Sequence, residues 1–118
     1  MQAGPELNVL VAEKVMGWNL RSDRWYDGER ETLWRTDASY FRGDWEFWNP
    51  SQDIVAAQEV MEKLKEYHWN IEWSPVMKVW ETEPWPSIGW HENEFFVRAD
   101  TLPLAICRAA LKVKGIET

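Results

Sequence analysis

Three stretches of this chain repeat their apolar residues at helical spacing, and between them the period drops to two. That switch limits the fold more than any other feature, because side chains spaced for a helix face cannot all line one face of a strand, nor the reverse. Over residues 5–17, Leu7, Leu10, Val11 and Val15 share one face, with Pro5 suited to a first turn and Gly17 to a stop. Over 51–66, Ile54, Ala57, Val60, Met61 and Leu64 form the stripe, and Glu59 and Lys63 pair at i,i+4 outside it. Two caps fit its start: Asn49 with Pro50 in the first position, or Ser51 with Asp53 in the first turn. The third helix runs from Pro103 to Lys114, capped by Thr101 and ended by Gly115. Only Arg108, Lys112 and Lys114 are polar in it, so it is expected to be the most buried.

The intervening segments alternate. Trp69, Ile71 and Trp73; Trp45 and Phe47; Trp34, Thr36, Ala38 and Tyr40; Met77 and Val79; and Phe95, Val97 and Ala99 give five candidate strands. Polar residues on their second face favour antiparallel pairing over a doubly covered parallel sheet. Gly28, Gly43, Pro75 and the loop 84–89 mark the breaks. The expected class is α+β: roughly five mainly antiparallel strands packed by three helices. At 118 residues, with no repeat or linker, the chain is read as one domain spanning 1–118.

A formal charge of −7 disfavours nucleic acid backbones and anionic membranes, which both need positive fields. No apolar run approaches the ~20 residues of a membrane span, and residues 1–5 lack a signal pattern. The single Cys107 excludes an internal disulfide and fits a reducing cytoplasm.

All ten Trp lie between Trp18 and Trp90. A core could absorb them: about 2,000 Å² of indole surface is small beside the ~13,000 Å² that a chain of this mass removes from water. Their neighbours therefore decide. From Trp18 to Trp48 the chain has five arginines and no lysine, interleaved with nine aromatic rings. Arginine grips phosphate bidentately, and aromatic faces stack bases. Seven acids in the same stretch offer the alternative of cross-strand ion pairs. The helix starts near Ser51 and Thr101 present N–H groups that favour anions, although simple capping explains both residues. Trp85 and Trp90 sit on a proline-stiffened segment, either as exposed rings or as a lid.

Three segments carry a resemblance: Leu10–Trp18, Pro50–Ile54 with the helix after it, and Ala99–Leu111 with its Ala-Ile-Cys-Arg-Ala-Ala-Leu run. Together they resemble the phage ABA sandwich domain, a family of small bacteriophage and prophage proteins. The resemblance implies an α/β/α sandwich and a phage origin, and carries no activity with it. A sheet with one incompletely covered face would leave room for a ligand.

Signals for catalysis are poor. Cys107 lies within an apolar helix, and His68 and His91 have no motif spacing. His91-Glu92-Asn93-Glu94 reads more simply as a solvated turn than as a metal site. No enzyme activity, cofactor or metal is expected. The expectation is a phage-encoded protein, in the cytoplasm of the infected host, that sequesters a small anionic, nucleotide-derived immune signal. Its ligand-binding residues would be Arg24, Trp25, Arg42, Trp45, Trp48, Ser51, Trp85 and Trp90. A homo-oligomer would allow a pocket between protomers. The rival expectation is an acidic module that blocks a host protein, with exposed Trp as anchors.

Overall fold

Helix α1 (Pro5–Lys14) starts where proline predicts, since the first turn has no intrahelical N–H bond to lose. It ends earlier than its apolar spacing suggests, and Gly17, at φ 74°, turns the chain away in a conformation that glycine adopts without penalty. The structure, a computed structural model, describes residues 2–21, 24–35, 48–86 and 95–116. Strands β1 (Asn19–Arg21), β2 (Arg24–Asp27) and β3 (Arg30–Arg35) follow as an antiparallel meander. Gly28, at φ 65°, makes the β2–β3 turn.

Helix α2 (Ile54–Lys63) corrects both expected caps. Asp53 is the cap, its carboxylate accepting from the Val55 N–H at 3.2 Å. Residues 49–53 form a separate turn in which Asn49 O accepts from the Gln52 and Asp53 amides. Ser51 is engaged elsewhere. Its N–H and hydroxyl both donate to Asn8 Oδ1, at 3.1 and 2.8 Å, and its Oγ accepts from the Gly4 N–H at 2.9 Å. A buried polar network thus ties the first turn of α1 to the entry of α2, and leaves no hydroxyl for capping.

Strands β4 (Tyr67–Ser74), β5 (Val79–Pro86) and β6 (Val97–Ala99) make a second antiparallel sheet with β5 central. The described residues therefore hold six strands in two sheets of three, where one sheet of about five was expected. The strands added are β1 and β2, while β5 runs well past the Met77 and Val79 candidate. Pro84 and Pro86, read as loop, continue the strand opposite Trp69 and Tyr67. Proline survives there because β6 pairs with β5 only at Trp80, Glu81 and Thr82, so the missing N–H groups lie beyond that ladder. The short β1 and β2 escaped notice for lack of sustained alternation. Met77 belongs to the β4–β5 turn rather than to a strand. The Trp45–Phe47 candidate, residues 36–40 and Gly43 lie outside the described residues.

Helix α3 (Leu102–Val113) agrees with its reading: the Leu104 N–H donates to Thr101 Oγ1 at 3.4 Å, and Ala105 through Cys107 and Ala109 through Leu111 are buried. It lies against the second sheet, where Thr82 Oγ1 donates to Ala105 O at 3.1 Å. Arg108 Nη1 and Lys112 Nζ donate to the carbonyls of Arg98 and Phe96, so two cations of α3 tie it to β6 and the residue before it. Leu7, Val11, Val60, Leu64, Ile106 and Leu111 form the centre of the core between the helices, and Trp25 and Trp48 complete it.

Candidate functional site

The residues expected to bind ligand take different positions in this fold. Trp25 is wholly enclosed at 0% exposure, so its faces are used up by the core and cannot stack a ligand. Trp48 is buried against Trp18, with ring centroids 4.6 Å apart and planes at 51°. Ser51 is buried in the Asn8 network. Arg24 is half-exposed on β2 and faces Glu31 at 3.4 Å, the cross-strand ion pair that the acids of this stretch offered as the alternative. Trp85 lies on β5 opposite His68, partly buried, rather than on a loop. Arg42, Trp45 and Trp90 lie outside the described residues. Trp25 and Trp48 both belong to the core cluster.

A cavity of about 570 Å³ opens instead where the starts of the helices come together. Arg98, Ala99, Asp100 and Thr101 bring β6 and the α3 cap to it, Leu104 and Arg108 supply the first turns of α3, and Gln2, Ala3 and Gln52 close the side nearest α1. Its size lies within the roughly 300–1,000 Å³ range of small-molecule sites. Two arginine residues are among its lining, with the amide-rich start of α3 adding positive potential. Arg98 is held in place: its Nε donates to Glu81 Oε2 at 2.7 Å, and its guanidinium lies 5.1 Å from the Phe96 ring centre. Arg108 is oriented by its bond to Arg98 O. Asp100 is the one carboxylate among the lining residues. Among the described residues no aromatic side chain lines the cavity, so these residues would hold a ligand by charge and hydrogen bonding rather than by stacking.

The helix start at Thr101, expected to favour anions, reaches this cavity, and Ser51 is tied to its wall through Gly4 and its neighbour Gln52. Arg98 and Arg108 were missed as binding candidates. Ten residues separate them, one on a strand and one on a helix, and no local spacing announces their approach. A weak signal did exist, since Arg108 is one of few polar residues on an otherwise apolar helix.

Cys107 is fully buried, and burial pushes its thiol pKa far up, away from the thiolate a nucleophile requires. Among the described residues no group of three or more His, Cys, Asp or Glu converges to hold a metal ion.

The helices and antiparallel sheets define a small α+β scaffold with a cavity at its helix starts. The model of the phage ABA sandwich domain matches residues 9–111, and the chain belongs to that family. A similar solved structure is a phage protein from Bacillus cereus ATCC 14579, 25% identical, aligned over 100% of this chain and 96% of that one with a TM-score of 0.69. No curated protein matches the chain.

Proposed function

We propose that this phage protein binds a small anionic ligand of its bacterial host, and holds it without turnover. The supporting observation is the placement of Arg98 and Arg108 on a cavity of about 570 Å³ beside the start of α3. A nucleotide-derived immune signal is the ligand class tested first, and its phosphates are the groups the two arginines would engage. Sequestration in the infected cell would be the biological consequence.

The test incubates the protein with cyclic nucleotides and ADP-ribose derivatives, removes free ligand by filtration, then heats the retained fraction and identifies what is released by mass spectrometry. Retention followed by recovery of the unaltered ligand, lost in Arg98→Gln, supports the proposal. Passage of every ligand through the filter, or release of a cleaved product, overturns it for that panel. Light scattering on the same sample reports whether binding requires a homo-oligomer.

A second reading rests on the β4–β5 hairpin end, where Trp73, Val76 and Met77 are exposed, Val76 to 91%. On a chain of charge −7 these side chains would anchor an interface with a basic host protein. Trp73→Ala would abolish such a complex and leave anion binding intact.

A further inference from the structure

The face of the second sheet turned away from α3 contains a smaller cavity, of about 100 Å³, lined by Asn70, Glu72, Glu81, Thr82, Glu83 and Phe96. Strand register assembles it. Asn70 stands opposite Glu83, Glu72 opposite Glu81, and Glu81 opposite Arg98. Like charges directly opposite one another repel, so the Glu72–Glu81 pairing needs compensation. Arg98 provides it for Glu81, through the 2.7 Å bond.

Glu83 has no equivalent. The residue is only 9% exposed, and its Oε2 is enclosed with no hydrogen-bond partner. An ionised carboxylate can only accept hydrogen bonds, and an enclosed oxygen without a donor forfeits the hydration it had in the unfolded chain. Among the described residues, three carboxylates (Glu72, Glu81 and Glu83) are set against the one guanidinium of Arg98. The cavity's chemistry is complemented by a cation that also carries N–H donors.

We propose that this cavity binds the ammonium group of a small aliphatic amine, with Glu83 Oε2 as its principal acceptor. The three N–H donors of an alkylammonium suit acceptors spread over Glu83, Glu72 and the Asn70 carboxamide. A bare metal ion would instead need these groups drawn into one tight shell, which no set of described acids forms. The volume corresponds to about three waters at ~30 Å³ each. It therefore admits an ammonium with a short stem, which the Phe96 ring can cover, and excludes a nucleotide. The site is separate from the larger cavity: the Arg98–Glu81 pair divides them, with Arg98 lining one and Glu81 the other.

Calorimetric titration of the full chain with 1,4-diaminobutane at low ionic strength tests the proposal, with magnesium and calcium chloride titrated separately. Saturable one-to-one binding of the diamine is expected. Glu83→Gln should weaken it at least about tenfold, the scale of a lost hydrogen bond to a charged group. Glu72→Gln, at an exposed position, should weaken it roughly threefold. Circular dichroism verifies that each variant folds, and if Glu83→Gln does not, Glu72→Gln carries the test. Absence of saturable binding, affinity unchanged in the folded variants, or binding of the divalent ions in place of the diamine would overturn the proposal. None of these outcomes touches retention of anions, which the filtration assay reads independently.

Discussion

Two tryptophan pairs show how little ring geometry says about role. Trp18 and Trp48 lie 4.6 Å apart at 51°, and Trp73 and Trp80 lie 5.4 Å apart at 57°, so the pairs are nearly the same object. Their surroundings are not. Trp48 is 8% exposed and packs with α1 and α2, whereas Trp73 is 46% exposed at the open end of a hairpin. The first pair joins the end of α1 to the approach to α2 and excludes water from the core. The second joins neighbouring strands and keeps a large apolar surface in solvent. Apolar burial, which scales with area removed from water, separates them where stacking does not.

Removing a ring from each pair should break that similarity. Trp48→Ala is expected to lose about 3–5 kcal/mol, the usual result of deleting a buried indole. That is a large share of the roughly 5–15 kcal/mol available to a domain of this kind. Urea denaturation followed by circular dichroism measures it, and a loss below about 1 kcal/mol would show that the Trp18–Trp48 contact is peripheral.

The polar network under the same region gives the next effect. Asn8→Ala removes the acceptor for the Ser51 N–H and hydroxyl, and also the Nδ2 donor that reaches Asn49 Oδ1 at 2.7 Å. Leaving buried groups unsatisfied costs about 1–3 kcal/mol. If Ser51 served a ligand rather than the fold, Asn8→Ala would spare stability and reduce binding instead. The two assays on one variant therefore decide which role Ser51 has.

Cys107 sharpens the contrast between interior and hairpin through pH. Burial raises its pKa in the folded chain, while in the unfolded chain the thiol ionises near about 8.5. Its contribution is thus complete below that pH and is lost as pH rises, because only the unfolded state then gains by releasing the proton. The slope rises toward about 1.4 kcal/mol per pH unit as the unfolded thiol becomes fully ionised. Stability of the parent chain should fall more steeply than that of Cys107→Ala between pH 8.5 and 9.5, a range set by the unfolded thiol. Parallel curves would place the thiol in contact with water.

These effects follow how the chain could be read. The helices were legible because each carries a stripe of apolar residues, joined in α1 and α3 by a stop glycine and in α3 by a capping threonine followed by proline. The family resemblance was legible for the same reason, since it rests on the helical segments. The start of α2 was not, because Asn49, Ser51 and Asp53 are all competent caps and the choice among them is made by Asn8, more than forty residues away in the chain. Strand β5 was obscured by Pro84 and Pro86, whose tolerance depends on where β6 stops. Site residues were hardest. Arg98 and Arg108 converge only after β6 and α3 pack, and the buried Glu83 differs from the solvated acids near it only through the sheet register. Trp85 was misplaced with β5, and Trp25 drew notice for its arginine neighbours when its own contacts are with the core.

The smallest effect tests the comparison most directly. Trp73→Ala removes the exposed partner of Trp80, so it forfeits the pair contact of about 0.5–1.5 kcal/mol and little buried area. Urea unfolding should shift by that amount with no change in denaturant slope, since the surface exposed on unfolding hardly changes. Trp80 fluorescence should move to the red as solvent reaches the ring that Trp73 had covered. A loss near that of Trp48→Ala would mean that the hairpin end is covered in solution, by a second copy of the chain or another segment of it. Concentration dependence of the midpoint would then distinguish the two, because only a second copy makes stability a function of protein concentration. An unchanged midpoint with intact binding of anions would leave the hairpin tip free for a partner, and would place its exposed rings outside the fold's stability altogether.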